Sequence, residues 1–159
     1  MGDVRYYKWF FNNKCERIRT VKTQNAMALS KTKEELLTRL INRKQPQAMR
    51  IEVDICTYDH EVNGGCAIGG EVSKKKALEL EDIGGGITDD HIFEALPKRL
   101  KKIGREFLKE VQSLHDNDIN WEKGRTGESS VWSNRGQRRI NELITEFKVN
   151  IPLLEVQNN

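Results

Sequence analysis

The chain has 159 residues, with 27 Lys/Arg, 24 Asp/Glu, a formal net charge of +3 and 36% hydrophobic residues. That length suits one domain, and with 32% of the residues charged it supports a modest core rather than a large one. No apolar stretch has the length of a membrane span, and none follows Met1 as a secretory signal would, so a cytoplasmic setting is expected, with Cys15, Cys56 and Cys66 as reduced thiols.

In chain order, Val4 to Phe11 is aromatic and β-prone, Asn12-Asn13 is a turn signal, and Cys15 to Val21 alternates around Ile18. The pattern predicts a first β-hairpin. Ser30 or Thr32 then caps a helix. Thr32-Lys33-Glu34-Glu35 fits a capping box, and Leu36, Leu37, Leu40 and Ile41 share one face. Pro46 marks its end.

Met49, Ile51, Val53 and Ile55 alternate with Arg50, Glu52, Asp54 and Cys56. Period-two alternation predicts one strand over these eight residues. Asn63-Gly64 is a strong hairpin turn signal, with a returning strand from Gly65 to about Ser73. Its glycines weaken that strand and suggest a bulge.

Gly84-Gly85-Gly86 predicts a flexible joint, over 83–88. Thr88, Asp89 or Asp90 then caps a long helix whose apolar positions step by three and four: Ile92, Phe93, Leu96, Leu100, Ile103, Phe107, Val111 and Leu114. Pro97 interrupts it, so a kink or two abutting helices are expected there. Residues 117–134 read as loop. A last helix carries Ile140, Leu143, Ile144 and Phe147, and Pro152 ends it. The expected fold is therefore α+β: an antiparallel sheet of two β-hairpins, with about three helices packed on it in one compact domain over residues 1–159.

Charge is unevenly placed along this chain. Residues 1–50 hold 12 Lys/Arg against 4 Asp/Glu, residues 51–95 hold 3 against 11, and residues 96–159 hold 12 against 9. Separated blocks imply a basic surface and an acidic one, unless they face each other within the molecule. Two basic sets stand out. Arg5 and Lys8 are interleaved with Tyr6, Tyr7, Trp9, Phe10 and Phe11, and Lys14, Arg17, Arg19 and Lys22 follow. Cations there suit phosphates, and rings suit unpaired bases. Lys98, Arg99, Lys101, Lys102 and Arg105 lie along the long helix, opposite its apolar stripe.

The acidic set is Glu52, Asp54 and Glu71. In the Asn63-Gly64 register, Glu71 lies diagonal to Asp54, an arrangement suited to Mg²⁺ and phosphodiester cleavage. A carboxylate strand followed by Glu-x-Lys resembles a restriction-type nuclease core. This chain has Glu71-Val72-Ser73, with Ser where Lys would stand. Cys56, His60 and Cys66 fall short of the four close ligands that zinc needs. No resident metal and no cofactor are expected.

Composition and motifs thus favour a small basic accessory protein that binds nucleic acid, RNA or single strands in preference, through a basic–aromatic surface. A compact, motif-poor chain of this kind suits a viral-like accessory protein. The alternatives are a metal-dependent nuclease using Glu52, Asp54 and Glu71, and a protein that self-associates through its complementary charges or coats a membrane surface.

Overall fold

The computed structural model describes residues 29–42, 49–50, 55–59, 65–122 and 131–156. Among them the fold is mostly helical, with six α-helices: α1 (Lys33–Asn42), α2 (Lys74–Ile83), α3 (Asp90–Ala95), α4 (Lys98–Ile103), α5 (Arg105–Asp116) and α6 (Asn134–Glu146). Among the described residues, strand pairing is confined to two-residue arms, β1 (Met49–Arg50) and β2 (Ile55–Cys56), and to one bridge between Trp121 and Trp132. The expected α+β sheet of two hairpins is therefore not the architecture.

The reasons are local. Met49 pairs antiparallel with Cys56, and Arg50 with Ile55. The chain must reverse between them, so residues 49–56 are not one strand. Alternation marks which residues share a face, but it does not mark where a strand ends. The returning strand is replaced by a turn. Gly70 N–H donates to the Cys66 carbonyl at 2.9 Å, and Glu71 N–H to that of Ile68 at 3.0 Å, which closes a 3-10 segment over Gly69–Glu71. A glycine-rich stretch offers few side chains to hold a ladder and curls readily. The first hairpin, residues 4–21, and the Asn63-Gly64 turn lie outside the described residues.

Helix α1 forms as its sequence predicts. Thr32 Oγ1 accepts the Glu35 N–H at 3.2 Å, and the Glu35 carboxylate reaches back to the Lys31 N–H. Helix α2 was not expected. Ser73 caps it by accepting the Lys76 N–H at 3.2 Å, and Ala77 and Leu80 are buried.

The long helix is broken twice. Pro97 separates α3 from α4, since proline cannot donate into the helical ladder. Gly104 separates α4 from α5 at φ 107°, a conformation that L side chains rarely adopt. The apolar spacing survives both breaks. Ile92, Leu96, Leu100, Ile103, Phe107, Val111 and Leu114 are all buried. Helices α1, α4 and α6 pack against α5, whose buried Phe107, Leu108, Val111 and Leu114 place it at the centre of the core.

Two interlocked features position the C-terminal helix. The indoles of Trp121 and Trp132 stack with centroids 3.8 Å apart. Trp121 Nε1 donates to the His115 carbonyl at 3.0 Å, and Trp132 Nε1 to that of Ile41 at 3.1 Å. The pair thus ties α5 and α1 to the segment that leads into α6. Ser133 caps α6 through the Gly136 N–H at 3.1 Å, and its hydroxyl donates to the Ile119 carbonyl at 2.7 Å. No described helix is long and apolar enough to cross a membrane.

Candidate anion-binding cleft

The basic face expected on residues 98–105 is largely committed to the fold. Arg99 is half-buried, and its guanidinium donates to the Ser30 carbonyl at 2.7 Å and to the Glu71 carbonyl. Burial pulls this guanidinium below the usual arginine value, opposed by the negative charge of Glu71. Lys101 Nζ binds the Glu94 carbonyl at 2.8 Å and the Glu94 carboxylate at 3.2 Å. Arg105 binds Asp90 Oδ1 and the Thr88 carbonyl, each at 2.5 Å, and covers the Phe93 ring. Lys98 and Lys102 are exposed, and no carboxylate among the described residues pairs with them.

Glu71 is equally committed. It is 5% exposed, lies 3.2 Å from Arg39 Nε, and accepts the Ser30 N–H at 2.9 Å. The strand that was to set it diagonal to Asp54 is a 3-10 segment. Glu71 thus holds the start of α1 to α4. Glu52 and Asp54 lie outside the described residues, as do His60 and the Cys56 side chain. Cys66 is buried. Among the described residues, no group of three or more His, Cys, Asp or Glu could hold a metal. Arg5, Lys8, Lys14, Arg17 and Arg19 also lie outside the described residues.

These pairings neutralise part of the separated charge. Arg39–Glu71, Lys101–Glu94 and Arg105–Asp90 each join a basic block to the acidic middle block inside one molecule. A cation paired in this way contributes little to an outward field.

A different set of cations is less committed. A cleft of about 290 Å³ lies between the C-terminal half of α5, the 117–120 turn and the first turns of α6. Its walls are Ser113, Leu114, Asn117, Asn120, Arg135, Arg138, Arg139 and Glu142. The four α6 residues fall at steps of three, one and three, so they share a face. Behind them Ile140, Leu143 and Ile144 are buried in the core.

The floor is rigidly built. Asn120 is buried, its amide donates to the Leu114 carbonyl at 2.9 Å, and its carbonyl accepts the Ser133 N–H at 2.9 Å. Arg139 is tethered. It binds Glu142 Oε2 at 2.8 Å and the Glu110 carboxylate on α5. Its hydrogen bond to Glu142, with that to Glu110 adding, raises its guanidinium above the ordinary value despite partial burial. Arg135 and Arg138 are exposed at the mouth, and no carboxylate among the described residues pairs with either.

The chain matches no family model, no curated protein and no solved structure. The geometry alone therefore bears on what the cleft can hold. Two planar guanidinium groups beside a tethered third make a donor array matched to phosphate oxygens, which they bind in a bidentate way. The Arg135-Gly136-Gln137-Arg138-Arg139 run was legible in the sequence as a basic cluster. The denser run over residues 98–105 overshadows it there. Charge density does not show which cations already have partners.

Proposed function

We propose that this chain is an accessory protein that binds nucleic acid through its phosphates, with Arg135 and Arg138 as principal contacts. One observation carries the reading: two exposed arginines, unpaired with any described carboxylate, flank a concave cleft. A phosphate there exchanges weakly held counterions for fixed guanidinium groups, and counterion release drives association. Lys98 and Lys102 add exposed cations on α4. The sequence around Arg5, Lys8, Lys14, Arg17 and Arg19 adds cations suited to phosphates, with aromatic residues beside them.

The nuclease reading draws nothing from Glu71, whose carboxylate is engaged by Arg39 and Ser30. The self-association reading took its motive from complementary charge blocks. The basic block over 1–50 and the acidic block over 51–95 meet within one molecule in the Arg39–Glu71 pair, and Lys101 and Arg105 engage two more carboxylates of the acidic block.

The direct test is whether the purified full chain carries nucleic acid, seen as excess nucleobase absorbance that high salt or nuclease treatment removes. Titration of labelled oligonucleotides then gives affinity against salt. Binding that weakens steeply with salt supports the reading, and absence of binding at low salt refutes it.

A further inference from the structure

Resting on that reading, we infer that the α5–α6 cleft takes one unpaired nucleotide, so that the protein selects single strands over duplexes. Shape favours an unpaired nucleotide. At about 290 Å³ the cleft is just below the roughly 300–1,000 Å³ range of small-ligand pockets. It is concave and set between two helices. A duplex offers its phosphates on a convex rail and keeps its bases stacked inside. To place a base or sugar in such a cleft it would have to unpair and swing the nucleotide out, at a cost of a few kcal/mol. A single strand meets no such cost.

The walls also carry the chemistry that a nucleotide needs. Arg135 and Arg138, which no described carboxylate pairs, are exposed, as are neutral polar Ser113 and Asn117. Apolar Leu114 and polar Asn120 are buried. A nucleotide has the matching set of properties: an anionic phosphate, a hydroxylated sugar and a flat base with donors and acceptors. Inorganic phosphate would use only the arginines. The Ser113 hydroxyl and the Asn117 amide are suited to sugar hydroxyls and base edges.

The walls are also preorganised. Glu142 and Glu110 together hold Arg139 in place, so the positive charge open to a ligand comes from Arg135 and Arg138. Asn120 is held by its bond to Leu114 and by Ser133. A site whose walls are fixed in advance loses less freedom when a ligand enters.

The test uses the full chain and two labelled probes with equal numbers of phosphates, a single strand and a hairpin duplex, at the same salt. RNA and DNA versions of the single strand are compared in parallel. The expected result is tighter binding of the single strand by tenfold or more. Filling the cleft with Ser113→Phe, or with the smaller Ser113→Leu should the first fail to fold, is expected to erase that preference. Weak, salt-dependent binding of both probes should remain, because Arg135 and Arg138 are untouched. Tighter RNA than DNA binding would assign the polar wall to the 2′-hydroxyl, and equal binding would assign it to the base; both support the inference. Equal affinity for single strand and duplex in the unaltered chain would overturn it while leaving the nucleic-acid reading in place. So would a preference that survives the filled cleft. Binding of neither probe would overturn both.

Discussion

Gly136 sits against the main-chain carbonyl of Asn120 so closely that a Cβ at this position would collide with it. This approach seats the first turn of α6 on the 118–120 turn, and it sets Arg135 and Arg138 on the rim of the cleft. Backbone cannot retreat as a flexible side chain can. Gly136→Ala is therefore expected to destabilise the protein by about 1–3 kcal/mol, the usual range for overpacking. Urea unfolding measures it. The same variant should also weaken nucleic-acid binding, because displacing α6 moves both arginines.

Phe107 lies at the centre of the core on α5. It is 1% exposed and meets Phe147 edge-on at 5.1 Å, with Lys33 over both rings. Phe107→Ala should cost about 3–5 kcal/mol through lost burial and the cavity it leaves. Thermal or urea unfolding gives the value, and a loss under about 1 kcal/mol would contradict this packing.

Glu71 and the α4 cations make a paired prediction. Glu71→Ala removes the carboxylate that Arg39 and the buried Ser30 N–H share, and breaking a buried pair of this kind costs about 3–5 kcal/mol. The lower end is expected, because the Arg39 side chain is 22% exposed. Arg99→Ala should also destabilise, since it removes both bonds that join α4 to the carbonyls of Ser30 and Glu71. Replacing exposed Lys98 and Lys102 by Ala should leave stability within about 0.5 kcal/mol. Chemical denaturation of the four variants separates structural cations from solvated ones.

Those contrasts explain what was legible in the sequence and what was not. Helix α1 was legible because Thr32 and Glu35 act locally, and α6 because Ile140, Leu143 and Ile144 repeat on one face. The break at Pro97 was legible from the chemistry of proline. The break at Gly104 was hidden, because the apolar spacing runs through it undisturbed. Helix α2 was hidden because only Ala77 and Leu80 face the core, too short an apolar repeat to stand out after three lysines. The roles of Glu71 and Arg99 could not be read locally: Arg99 meets a carbonyl 28 residues away, and Glu71 meets an N–H 41 residues away. The cleft followed the same rule. Its arginines stood in the sequence, but only the fold shows that Lys101 and Arg105 have carboxylate partners while Arg135 and Arg138 have none among the described residues.

Acid should destabilise the protein in a defined window. Glu34 is held below its ordinary value of 4.5, first by its own main-chain N–H and then by that of Asn150, 3.2 Å away. Asp90 is held below its ordinary 3.8 by hydrogen bonding and charge from Arg105. A carboxylate whose value is lower in the folded state contributes stability above its unfolded value, and that contribution is lost as pH falls through the folded one. Stability should therefore decline from about pH 4.5 downwards. Glu34→Gln should make that decline shallower, as followed by circular dichroism against pH.

The most direct test of nucleic-acid binding through the α6 arginines is the salt dependence of oligonucleotide affinity. The unaltered chain is compared with the double variant Arg135→Ala/Arg138→Ala, in fluorescence-anisotropy titrations across a range of salt concentrations. Each phosphate bound on a single strand contributes about 0.7 to the slope of log affinity against log salt. The account predicts that the double variant folds normally, binds all sequences more weakly, and has a slope shallower by about 1.4, the share of two phosphates. An unchanged affinity and slope in a correctly folded double variant would contradict it.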